Sequence, residues 1–306
     1  MSNNLQKAIL STLIYADLFD YPLTREEIVT WLIDYRINGP ARRRYASSVA
    51  GGLTDYRIDK ELLELKKQKK IGNIGAYYYL VGRPEIVKIR QKREDWSREK
   101  IKLAENIAEI MRRIPFVKMI AISGGLASLN SEKNDDIDFF VIVSKNRLFT
   151  ARALIVLILK AMGKYRSQDR ITNMICPNMF LSEDSLKIEP EDLYLAHEIL
   201  LAKPLINKDK TYEKFIQANK WVKKYLPNRF QEFGFKEKIE PISEAPVFII
   251  SGILDFKETF LRWFQLWYMN PKRTTETISS KILKFHPQDV RIKVLERFKL
   301  KSKRFF

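Results

Sequence analysis

Apolar residues recur at helical spacing at the start of the chain: Leu5, Ile9, Leu10, Leu13, Ile14 and Leu18 predict one helix, which Pro22 ends. Thr24 followed three residues on by Glu27 predicts a capping box, and Ile28, Trp31 and Leu32 form the inner face of the helix it opens. The stretch 34–56 reads as a loop, with Arg42, Arg43 and Arg44 in a row and Gly51-Gly52 as a breaker. A third helix follows, with Asp59 as its expected cap and Leu62, Leu63 and Leu65 facing inward. Asn73 and Gly75 then bracket a tight turn, and Tyr77, Tyr78, Tyr79 and Leu80 favour a strand. After Pro84 a long polar helix is expected over 85–113.

The texture changes at Pro115. Val117–Ile122 reads as a short buried strand broken by Gly124-Gly125, Ala127 and Ser128 open a helical turn, and Ile137–Val143 reads as a second apolar strand. A helix over 148–162 and a further strand over 171–181 should follow, and then an amphipathic helix over 193–205 that carries His197. The last third reads as helical at 212–225 and 244–269. It ends in a basic tail with interleaved Phe, a composition suited either to nucleic-acid contact or to an amphipathic terminal helix.

Composition narrows the chemistry. The chain of 306 residues has one cysteine, Cys176, and two histidines, His197 and His286. That excludes a disulfide framework and a multi-cysteine zinc site. A catalytic metal would sit on carboxylates, as a hard ion such as magnesium does. Cys176 and His197 are expected to be buried structural residues. The formal charge of +18 favours polyanionic partners. The longest apolar runs, 153–159 and 246–254, fall short of a bilayer span, and the N-terminus lacks a signal-peptide pattern, so no membrane role and a cytoplasmic location are expected.

Asp136 and Asp138 lie two apart at the second strand, where side chains share a face. Two carboxylates on one face repel unless a cation or a proton holds them. A Gly-Gly turn nearby lets backbone approach a phosphate closely. Strand, Gly124-Gly125, ten residues, then Asp136-Ile137-Asp138 resembles the nucleotidyltransferase superfamily of the DNA polymerase beta type. The resemblance implies that Gly124, Gly125 and Ser128 hold a nucleoside triphosphate, and that Asp136 and Asp138 bind Mg2+ or Mn2+. The family's third carboxylate, on a later strand, has no counterpart inside 171–181. Asn178 is the expected substitute ligand, with Asn173 and Asp169 as further candidates.

The three N-terminal helices and hairpin resemble a winged-helix domain, which implies DNA or RNA contact through Lys66, Lys67, Lys69 and Lys70, joined by Arg42, Arg43 and Arg44. The expected fold is therefore α+β: a mixed-sheet nucleotidyltransferase domain over 85–205, including the connecting helix, between a winged-helix domain over 1–84 and a helical C-terminal domain over 206–306. The function this implies is metal-dependent transfer of a nucleoside monophosphate to an acceptor hydroxyl, with RNA or DNA as the favoured acceptor. The alternatives are a catalytically inactive nucleotide- or nucleic-acid-binding regulator and a protein-modifying transferase of a toxin–antitoxin system.

Overall fold

The computed structural model describes residues 2–37, 52–234, 258–261, 263, 265, 277–278, 281–284 and 290–306. The arginine run 42–44, His286 and most of the 244–269 stretch lie outside them. The fold is α+β with a mixed central sheet. No helix among the described residues is long and apolar enough to cross a membrane.

The N-terminal layer holds α1 (Ser2–Asp17), α2 (Arg25–Thr30) and α3 (Gly52–Lys67), with β1 (Leu23–Thr24), β2 (Ile71–Ile74) and β3 (Tyr77–Leu80) in a small antiparallel sheet of order β1-β3-β2. The capping box forms as expected: the Thr24 hydroxyl accepts from the Glu27 amide, and the Glu27 carboxylate accepts from the Thr24 amide. The third helix starts at Gly52, earlier than expected. Asp59 therefore lies inside it rather than capping it, and pairs with Arg25. Leu13, Ile14, Ile28, Leu32, Leu62 and Leu65 make the core of this layer.

The helix α4 (Glu85–Met111) leads to the central sheet. Its strands are β4 (Val117–Ile122), β5 (Ile137–Val143), β6 (Ile175–Ser182), β7 (Lys203–Asn207), β8 (Thr277–Ile278) and β9 (Ile282–Lys284), in the order β7-β4-β5-β6-β9-β8. Among the described strands only β5 and β6 pair in parallel, joined through α6 (Leu148–Ala161). Along β5, Ile137, Phe139, Val141 and Val143 face α4 and α6, while Phe140 and Ile142 face the other way. This alternation is the period of two that a strand imposes.

The second face is covered by α7 (Leu193–Leu201) and α8 (Thr211–Ala218), followed by α9 (Pro227–Glu232). Two sequence expectations change here. Helix α7 ends at Leu201, and the next residues form the edge strand β7 against β4, so the central sheet runs across residue 205. The strand expected from residue 171 begins at Ile175, because Asn173 takes a left-handed turn.

The basic tail forms α10 (Val290–Ser302), which packs on both α1 and α7. Val294 is buried, Phe298 lies edge-on to Tyr15, Arg291 pairs with Asp192, and Lys301 pairs with Asp17. Tyr15 and Ile33 of the N-terminal layer enter the core beneath the sheet, so the two layers share packed side chains.

Candidate functional site

The chain leaves β4 through Ser123 in extended conformation and turns at Gly124, whose φ of +61° lies in the left-handed region. A side chain there would be strained, and its Cβ would stand 3.9 Å from Oδ2 of Asp138. The short helix α5 (Gly124–Ala127) follows. The Asn130 amide donates to the Gly125 carbonyl, and the Ser128 hydroxyl donates to the same oxygen. The Ser123 amide donates to the Asp138 carbonyl and ties this turn to β5.

The strand β5 begins one residue after Asp136, yet the side chains of Asp136 and Asp138 still converge. Their carboxylates and the thiol of Cys176 lie within 4.8 Å of one another. Cys176 stands opposite Asp138 in the parallel β5–β6 register, and the two side chains are hydrogen-bonded. The register slips just beyond: Phe139 matches Pro177 and Phe140 matches Met179. Asn178 falls at that irregularity, where the register passes from Pro177 to Met179, and is buried. Thus Cys176, not Asn178, is level with Asp138. Asn173 is exposed on the preceding turn, and Asp169 is exposed as well.

Burial pushes the Asp138 carboxyl up to about 7, and the negative charges of Asp136 and Glu198 push it the same way. Asp136 is also raised, chiefly by burial, while Arg166 opposes the shift. The Arg166 Nε donates to Oδ2 of Asp136 at 2.7 Å. The Arg166 backbone is held in turn by its amide bond to the Ile175 carbonyl. Burial and the two aspartates push the Cys176 thiol far up, so it is no nucleophile. Asp135 has a structural role: its carboxylate accepts from the Glu132 amide and the Ser131 hydroxyl.

The site therefore brings together Gly124, Gly125, Asp136 and Asp138, as expected, and adds Cys176, Arg166 and Glu198. Cys176 had a signal in the sequence, since a strand parallel to β5 must place some residue level with Asp138. Arg166 and Glu198 arrive from a turn and from α7 with no motif to mark them.

Gly124, Gly125 and Ser128 also line a cavity of about 530 Å³ between α1–α2 and α5–α7. His197 lines it too, stacked between Tyr15 at 3.9 Å and Trp31 at 5.5 Å, both at 14° between ring planes. Its Nδ1 lies 2.9 Å from the Leu193 carbonyl, and burial pulls its pKa down to about 4. Lys66, Lys67 and Lys69 are exposed at the end of α3, and Lys70 reaches the Phe305 carbonyl; none lines the cavity. Comparison with protein-family models, with curated proteins and with solved structures gives no match.

Proposed function

We propose that the protein is a metal-dependent nucleotidyltransferase that moves a nucleoside monophosphate from a triphosphate to an acceptor hydroxyl. One observation carries this reading: a left-handed glycine turn at the end of β4 stands against the Asp136–Asp138 pair at the start of β5. The donor set fits a hard divalent ion. Two converging carboxylates, one of them held near neutral pKa by burial and by its neighbour's charge, lose that repulsion when a cation joins them. Cys176 adds no hard ligand, so an ion held by Asp136 and Asp138 would take its other ligands from water and phosphate oxygens. When bound, the ion offsets phosphate charge and aligns the triphosphate.

The chain's own residues supply the rest. Gly124 leaves room for phosphate against backbone, whereas the space beside Gly125 is taken by the Asn130 carbonyl, 3.3 Å from where a Cβ would stand. Arg166 places a guanidinium beside Asp136, where negative phosphate charge would arrive. In the transfer, the acceptor oxygen bonds to the α-phosphorus, the α–β bridge breaks and pyrophosphate leaves. We assign the hydroxyl proton to Glu198, which lines the cavity with Gly124 and Gly125 and whose charge raises the Asp138 carboxyl. The N-terminal helices and hairpin support the winged-helix reading, with the lysines at the end of α3 as its nucleic-acid contacts.

Incubation with each labelled triphosphate and Mg2+ or Mn2+, with and without RNA, tests the reading. Pyrophosphate release that Asp136→Ala abolishes is expected. A second reading, a nucleotide-binding regulator without turnover, is favoured by the ion pair that occupies Asp136 and by a thiol in the third ligand position. Metal-dependent triphosphate binding with no pyrophosphate release under any acceptor would decide for it.

A further inference from the structure

The cavity between α1–α2 and α5–α7 has a distinct chemistry. Its volume, about 530 Å³, falls in the range of small-molecule sites, roughly 300–1,000 Å³. Tyr15, Phe19, Tyr21, Trp31, Tyr212 and Phe233 supply aromatic walls. Most of these come from the N-terminal layer, outside the sheet that carries Asp136 and Asp138. The charged side chains that line it are balanced: Glu27 and Glu198 against Lys203 and Arg229. Glu27 is committed to Arg90, and Arg229 to Glu232 and the Leu200 carbonyl. A strand of nucleic acid needs an excess of cations along its path, and the described residues that line this cavity supply none.

His197 gives the cavity direction. It is more than nine-tenths buried. A carbonyl can only accept, so the contact with Leu193 means that Nδ1 carries the proton and Nε2 is a bare acceptor. Nε2 has no hydrogen-bond partner among the described residues. The Tyr15 and Trp31 rings hold the imidazole so that it cannot turn away. An acceptor of this kind discriminates strongly once a ligand displaces water from it, because a ligand without a matching donor then leaves it unsatisfied.

We infer that this cavity is the specificity pocket of the protein: it takes a flat ring of nucleoside size, packed among aromatic side chains of the N-terminal layer, with an N–H of the ring or its amino group donating to Nε2 of His197. The inference rests on the transferase reading only for orientation, since Gly124 and Gly125 at the cavity wall would take attached phosphates. It makes the N-terminal layer part of the ligand site, whatever its α3 lysines contact.

Calorimetry with the intact chain tests this, using adenosine, guanosine, cytidine and uridine in EDTA and then their triphosphates with Mg2+. At least one nucleoside should bind without metal. His197→Phe keeps the stacked ring and removes the acceptor, and should weaken that nucleoside about tenfold, as loss of one buried hydrogen bond does. Leu201→Trp, at the cavity wall on the last residue of α7, should fill the space and abolish binding, with thermal melting of both variants to verify the fold. No nucleoside binding at millimolar concentration, or equal binding by both variants, overturns the inference, as does an oligonucleotide that displaces the bound nucleoside. If triphosphates bind with Mg2+ and neither variant matters, the pocket falls and the transferase reading stands. If a nucleoside binds as expected but phosphates and metal add nothing, the pocket stands and the transferase reading falls.

Discussion

Replacing Asp138 with Asn tests the electrostatics of the site without disturbing its shape. Its carboxyl is held at about 7 in the fold against an ordinary 3.8. A folded-state pKa above the unfolded one means that the native chain binds the extra proton. That stability is fully present below 3.8 and is lost as pH rises through 7. Three units at about 1.4 kcal/mol each amount to about 4 kcal/mol in all. Over a third of this is already lost by pH 5, because the unfolded carboxyl is ionised there. Asn carries no charge at any pH. In EDTA, the advantage of Asp138→Asn over the parent should therefore widen by about 1–3 kcal/mol between pH 5 and pH 8, the lower figure allowing for residual contact with water. Urea unfolding at the two pH values measures it. Mn2+ should restore the parent at pH 8 and do little for the variant. Superimposable pH profiles, or a variant less stable than the parent at pH 8, would refute the buried-pair account.

Gly124→Ala forces a side chain into a left-handed conformation and should cost about 1–2 kcal/mol in thermal melts, while weakening triphosphate binding; unchanged affinity would move the phosphate elsewhere. Arg166→Gln removes the cation bound to Asp136, so Mn2+ affinity without nucleotide, read by paramagnetic resonance, should rise; a fall would mean that the guanidinium organises the acids instead. His197, depressed to about 4 from 6.5, contributes stability that is present above 6.5 and is lost as pH falls toward 4, about 3 kcal/mol. His197→Phe should flatten that part of the profile in urea melts, and an unchanged slope would place the proton elsewhere. Val294→Ala with Phe298→Ala should cost several kcal/mol by emptying the α10 contact, whereas Lys299→Glu with Lys303→Glu should leave melting unchanged and lower the salt slope of RNA binding by about 1.4 if both lysines touch single-stranded phosphate.

Local signals carried far. The capping box at Thr24, the strands at 117–122 and 137–143, and the long helix from Glu85 form where pattern and caps place them, because each is decided by residues close in sequence. The convergence of Gly124 on Asp138 was legible for the same reason, with only ten residues between Gly125 and Asp136. What could not be read depends on register. Whether Cys176 or Asn178 faces Asp138 turns on a one-residue slip between β5 and β6, and a slip of one reverses every side chain. Residues 203–205 read as the end of the preceding amphipathic helix, and only pairing with β4 makes Lys203–Asn207 a strand.

The cavity was the least legible feature, and the reason is topological. Its walls come from α1 and α2, from the turn after β4 and from α7 to α9, segments with no shared motif. They meet where Tyr15 and Trp31 stack on His197, and where α10 lies across both α1 and α7. The tail's basic character obscured this contact. Arg291 and Lys301 point their charges at Asp192 and Asp17, so part of what composition offers as a polyanion-binding surface is neutralised within the fold. Arg83 and Arg90 do the same between α4 and the N-terminal layer, through Asp17, Asp20 and Glu27. Arg166 is likewise engaged, by Asp136, so a phosphate arriving at the acid pair would share or displace that ion pair. Net charge therefore speaks to long-range attraction of a polyanion, while the aromatic cavity decides which ring can be held once it arrives.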